Sequence, residues 1–349
     1  MYKVEAKNIP ALLDTLAMGR DLYLPARNKA GKVDYAKYGP DTVVDFQTAQ
    51  TAKSPKDIFF PQVENLLRFQ QEGKHLSLEQ LQPEDRKVIV MGLRACDARS
   101  FAILDKVFLV PPVDTYYKKR REQAVLIGMA CSEPEETCFC GSFRIDPTRP
   151  EADVITSMVQ GDLYWQVVTS KGEELTKTVL ASGLLVEAAQ EELELCQAQG
   201  ARAKAILKEL PLGTYKFNDG LYADELKTFK DPKWAELSSN CLSCCVCTYV
   251  CPTCHCYDIR DYKVSDTKVE RYRCWDSCMC RDFTKMAHGN PRKTKLERFR
   301  QRYMHKLVYF PENHQGTYAC VGCGRCLQKC PVNLNIVKVA KVLEVSQHV

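Results

Sequence analysis

The chain has 349 residues, 45% hydrophobic and 27% charged, with a formal net charge of +5; it is long enough for two domains with cores of their own and has an ordinary globular balance. The mild charge argues against a nucleic-acid binder with a concentrated basic stripe, and no apolar run of about 18 residues is present to span a membrane. Nineteen cysteines set the composition apart: five precede residue 240, and fourteen fall between Cys241 and Cys330.

The opening stretch, MYKVEAKNIPALLDTLAMGR, has no basic segment followed by an apolar one. It therefore does not read as a secretory signal, and the chain is expected in the cytoplasm. Thiols stay reduced there, so clustered cysteines point to metal rather than to disulfides.

Residues 1–235 are expected to form an α/β domain. Asn8 and Pro10 suit a helix start, Leu12, Leu13 and Leu16 give it an apolar face, and Gly19 stops it. Residues 87–92 (KVIVMG) and 124–128 (AVLIG) are short apolar runs bounded by charge, the pattern of buried parallel strands. Between them Phe101, Leu104 and Phe108 share a helical face, which completes a β–α–β unit. The segments VITSMV and LYWQVVT flank a QGD turn and predict a hairpin. Residues 179–210 predict a helix holding Cys196, and residues 211–233, with two prolines and several charges, predict a linker. Residues 236–349 then form an α-helical dicluster domain of the bacterial-ferredoxin type.

The reason lies in a repeated motif. Cys241-x2-Cys244-x2-Cys247-x3-Cys251-Pro252 is one copy, and Cys320-x2-Cys323-x2-Cys326-x3-Cys330-Pro331 is the other. Three thiolates two residues apart wrap a tight loop around three corners of a cubane, and the fourth, before a proline, reaches the other cluster. One [4Fe–4S] cluster, A, is thus assigned to Cys241, Cys244, Cys247 and Cys330. The second, B, falls to Cys320, Cys323, Cys326 and Cys251. A zinc ribbon would instead favour two short cysteine pairs separated by a loop.

A further quartet lies upstream. Cys96 follows the first apolar run and Cys131 the second, so both emerge at the C-terminal edge of a parallel sheet, where α/β folds hold ligands. Cys138 and Cys140 follow in a polar loop and, in an extended segment, project to the same side. These four are expected to hold a third [4Fe–4S] cluster. Cys196, Cys245, Cys254, Cys256, Cys274, Cys278 and Cys280 read as buried packing thiols, with a further metal as the competing reading for Cys254, Cys256, Cys278 and Cys280. Residues 290–307 predict a basic amphipathic helix, opened by Asn290 and Pro291. Leu296, Phe299, Tyr303 and Leu307 share one face, and seven Lys/Arg residues and one Glu occupy the rest as a solvated or partner-docking face.

No Gly-rich dinucleotide loop follows a strand and no Walker A loop occurs, so no FAD or NAD(P) site is evident. Together SPKDIFFPQVENLLRF (54–69), GLRACDARSFAILDKVF (92–108), CSEPEETCFC (131–140), CLSCCVCTYVCPTCHCYD (241–258), RCWDSCM (273–279) and CVGCGRCLQKCP (320–331) resemble a known family. It contains the dicluster electron-transfer subunit of anaerobic sulfite reductase and the beta subunit of cytoplasmic hydrogenase/sulfur reductase (sulfhydrogenase). The resemblance implies a non-catalytic electron-transfer subunit of an anaerobe's oxidoreductase complex. Its partners would be a flavin/[2Fe–2S] subunit that oxidises NAD(P)H and a catalytic or further iron–sulfur subunit, the catalytic centre being a sirohaem or a [NiFe] site. It also implies Cys96, Cys131, Cys138 and Cys140 as ligands of the additional cluster. The competing readings are a zinc-stabilised interaction or nucleic-acid-binding module, and a free-standing enzyme whose substrate sits at an unusual N-terminal cluster.

Overall fold

The computed structural model describes residues 1–347. Its strands are β1 (Tyr2–Val4), β2 (Asp21–Arg27), β3 (Val33–Lys37), β4 (Val63–Glu72), β5 (His75–Gln80), β6 (Val88–Leu93), β7 (Ala124–Met129), β8 (Val154–Val159), β9 (Asp162–Val167), β10 (Val186–Glu187), β11 (Tyr257–Ser265) and β12 (Lys268–Trp275). They form an eight-stranded sheet, ordered β10-β1-β9-β8-β7-β6-β2-β3, and a four-stranded one, ordered β11-β12-β4-β5.

At the centre of the larger sheet β2, β6, β7 and β8 run parallel, with Val90 opposite Leu126 and Ile127 opposite Val154. Helices cover both faces, so these strands are apolar on both sides. Ile89, Met91, Ile127 and Met129 face the helices Ile9–Ala17 and Ser170–Ala181. Val90 and Leu126 face Phe101, Leu104 and Phe108 of the helix Ala95–Phe108. The alternation follows from the two-residue period of a strand. The expected hairpin is the antiparallel pair β8–β9.

Three expectations need correction. The helix over 179–210 is two pieces, Ser170–Ala181 and Gln190–Glu209, because residues 186–187 are drawn out to pair with β1. Residues 211–233 are no linker. They fold as short helices, Gly220–Ala223 and Glu225–Lys230, with Leu221 buried and Tyr215, Phe217, Tyr222 and Phe229 packed on the C-terminal core. The C-terminal region also holds a long hairpin, β11–β12, beside its helices.

That hairpin joins the two parts of the chain. β12 pairs antiparallel with β4, so strands from either side of residue 235 share the small sheet. Beneath it Arg273, 3% exposed, is ion-paired with both Glu64 and Asp114. Two carboxylates around one guanidinium offset the cost of burying the charge. The hairpin is thereby fixed against the α/β region. Among the described residues no helix is long and apolar enough to cross a membrane.

Candidate iron–sulfur sites

Thirteen cysteines line three small cavities. Cys241, Cys244, Cys247 and Cys330 line the first, site A, with Cys245, Met279, Phe299, Arg302 and Tyr303 around them. Cys251, Cys320, Cys323 and Cys326 line the second, site B, with Phe139, Arg302 and Lys306. Cys96, Cys131, Cys138 and Cys140 line the third, site C, beside Arg94, Gly322, Cys323 and Arg325. Each motif copy therefore places three cysteines at one cavity and its fourth, proline-flanked one at the other.

Site C is assembled by the large sheet. β6 ends at Leu93 and delivers Cys96 on the first turn of the next helix, while β7 ends at Met129 and delivers Cys131. The loop carrying Cys138 and Cys140 is held against the second ferredoxin motif, where the amide of Phe139 donates to Gly322 O (2.9 Å). The Gln50 amide donates to Cys323 O (2.5 Å) from the other side. Arg325, 1% exposed, clasps both carboxylate oxygens of Asp97 at 2.7 and 2.8 Å and donates to Thr51 O at 2.9 Å. Sites B and C thus belong to one packed body.

The sites share walls. Cys323 borders both B and C, and Arg302 borders both A and B. B therefore adjoins both A and C, giving the order A, B, C.

Electrostatics at this row run against ordinary core chemistry. Arg302 is 4% exposed, makes no ion pair among the described residues, and its Nε has no hydrogen-bond partner. Lys306, also 4% exposed, donates to Thr253 Oγ1 (2.8 Å), Ala319 O (2.7 Å) and Cys251 Sγ (3.3 Å). Arg94 donates only to the carbonyls of Phe46, Thr48 and Ala130. Lys56 lies over the Trp275 ring and donates to Cys254 O (2.7 Å). A buried cation without a counter-charge is destabilising by several kcal/mol. Arg302, Lys306 and Arg94 line those cavities, and three such cations indicate that compensating negative charge resides there.

Among the cysteines of the three quartets only Cys251 is held well below the usual thiol range, by a hydrogen bond from Cys254 and the charge of Lys306, and one thiolate does not balance these cations. Burial pushes the Cys138 thiol up to about 12, and the Cys326 thiol likewise up to about 12. Such thiols stay protonated near neutral pH unless a metal takes their electron pair. Among the described residues no three Cys, His, Asp or Glu side chains converge tightly enough for a single ion. Quartets spread around a cavity suit a polynuclear group instead. A tetrathiolate [4Fe–4S] cluster is anionic, so donor set and surrounding charge both fit it.

These cations escaped the sequence reading. The basic helix starts later than expected, at Lys295, where Thr294 caps it reciprocally with Glu297. Three of the seven basic residues in 290–307 do not belong to a solvated face: Arg298, Arg302 and Lys306, each four positions from the next, are buried beside the stripe of Phe299, Tyr303 and Leu307. A π-helical turn over His305–Tyr309 continues the helix. A usable signal was present, since Arg94 and Arg325 stand within GLRAC and CGRC.

Spacing and cavities define an iron–sulfur electron-transfer protein, and residues 240–334 match the 4Fe-4S dicluster domain family. The chain is also 36% identical over 258 residues to sulfhydrogenase 2 subunit beta of Pyrococcus furiosus, covering 73% of each chain. It belongs to the family of sulfhydrogenase beta subunits. The dicluster domain provides for two [4Fe–4S] clusters.

Proposed function

We propose that this chain relays electrons through three [4Fe–4S] clusters between a flavin- and NAD(P)H-linked subunit and a catalytic or low-potential acceptor subunit. The acceptor would be of the sulfite reductase, [NiFe] hydrogenase or related flavin-based type, and the complex cytoplasmic. Cys241, Cys244, Cys247 and Cys330 hold the cluster at A. Cys251, Cys320, Cys323 and Cys326 hold that at B, and Cys96, Cys131, Cys138 and Cys140 that at C.

The observation that carries the reading is the row of cysteine quartets with common walls at Cys323 and Arg302. Bound clusters supply one-electron storage at each position. The protein's part is to exclude water and to fix charge. Arg302 lies between A and B, Lys306 lies at B and Arg94 at C, each favouring the more negative, reduced state of its neighbour. The Arg325–Asp97 pair is neutral as a unit and holds the second motif to the sheet. Cys244, exposed at A, leaves that end of the row open to a partner.

The test is anaerobic reduction of the isolated chain. Dithionite should reduce it, whereas NADPH and NADH should not until a flavin subunit is added. Direct reduction by NADPH without a partner would refute the relay assignment.

A further inference from the structure

The two motif copies share a backbone but not a sequence at two positions. In the second copy Gly322 and Gly324 have φ of +62° and +78°; in the first, Ser243 and Cys245 stand in their places with φ of +53° and +63°. The loop demands left-handed conformations there, which glycine adopts freely and a cysteine does not. Cys245 thus occupies a glycine position at a conformational cost.

Its side chain does something with that position. Cys245 Sγ lies 3.0 Å from Cys280 Sγ, inside ordinary sulfur–sulfur van der Waals contact, across 35 residues of chain. The approach is built in. The Thr248 hydroxyl donates to Cys245 O (2.6 Å) and is hydrogen-bonded to Ser277 Oγ (2.7 Å), while the amide of Cys280 donates to Ser277 O (2.9 Å). Thr248 and Ser277 are both buried, so the two loops meet through a fixed polar link. Cys245 also lines site A, and Cys280 is partly open to solvent.

We propose that Cys245 and Cys280 form a redox-active dithiol/disulfide couple wired to site A. In the oxidising direction the Cys280 thiolate attacks a small-molecule disulfide, releasing one thiol. Cys245 then displaces the second, so that an S–S bond forms between the two residues and two protons are lost to the leaving thiols. In the reducing direction the Cys245–Cys280 bond takes two electrons by way of site A and two protons from solvent, and opens to two thiols. The couple adds a two-electron station to a one-electron relay, and a substrate class: low-molecular-weight disulfides. Delivery through A rests on the iron–sulfur reading of that site.

The experiment uses the anaerobic, iron-loaded full chain oxidised with 2,2′-dithiodipyridine, then acid-quenched, alkylated and peptide-mapped. A parallel sample is titrated with titanium(III) citrate. Wild type should yield a Cys245–Cys280 cross-link and accept about two more electrons per chain than Cys245→Gly, as a two-electron couple requires. Cys245→Gly restores the residue type of the second copy and should keep its iron; Cys280→Ser should lose the extra electrons equally. No cross-link, or equal electron counts at equal iron content, overturns the couple while leaving the clusters standing. A cross-link in a chain that binds no iron overturns both the iron–sulfur reading and the wiring through A.

Discussion

The two ferredoxin motifs have the same cysteine spacing and unlike surroundings. The second is pressed against the loop that carries Cys138 and Cys140. A Cβ on Gly322 would stand 2.4 Å from Phe139 O, and one on Gly324 2.3 Å from Thr137 O. The first has Ser243 and Cys245 at those places, and its Leu242 is 62% exposed. Identical ligand chemistry therefore does not make the motifs interchangeable. The second is an inner coupling, confined between B and C, and the first is an outer terminal whose left-handed positions have room for side chains, Cys245 being buried against Cys280. The polarity of the row, with an open end at A, follows from this difference in packing.

The comparison breaks most completely at the shared ligands. Cys330→Ala should remove the cluster at A and spare that at B, taking about four iron atoms of about 12. Site-resolved EPR of the reduced variant checks this, and loss at B alone would show that each motif closes on itself.

The next effect lies in the glycines. Gly324→Ala adds a left-handed alanine, costing about 1 kcal/mol or more, and an overpacked contact worth about 1–3 kcal/mol. It should destabilise the holo-protein by roughly 2–4 kcal/mol in anaerobic urea unfolding. Cys245→Gly, at the matching place in the first copy, relieves a left-handed side chain but vacates a buried one, so it should stay within about 1 kcal/mol of wild type. Similar losses in both variants would erase the distinction between the motifs.

A smaller effect tests the wall between A and B. Removing a positive charge beside an anionic cluster disfavours its reduced form, so Arg302→Gln should lower the potentials of both A and B. For charges several ångströms apart at an effective dielectric of about 20, the shift is on the order of 100 mV. Arg302→Lys should retain most of the wild-type values, and the potential at C should hardly move. Redox titration followed by EPR reads all three, and a shift confined to one cluster would contradict a shared wall.

Much of the site was legible because cysteine spacing determines which thiols meet at one cavity. The N-terminal quartet was legible for a different reason: two apolar runs, each ending in a cysteine, had to bring those cysteines to one sheet edge. The buried cations were not. Amphipathic reading assigns Arg298, Arg302 and Lys306 to solvent because charge is normally expelled from a core; an anionic interior reverses that rule. Nor was the β4–β12 pairing visible, since it joins residues about 200 positions apart and leaves no local pattern. The aromatic residues Tyr215, Phe217, Tyr222 and Phe229 follow neither a helical nor a strand period, so a packed segment read as a linker.

The central claim is the row of three. Iron and acid-labile sulfide analysis of the anaerobically purified chain, beside its Cys138→Ala/Cys140→Ala variant, tests it most directly. The account predicts about 12 iron atoms in the wild type and about eight in the variant, with the EPR signatures of A and B retained. About eight in both would remove site C from the row, and stoichiometric zinc in place of iron would contradict the assignment as a whole.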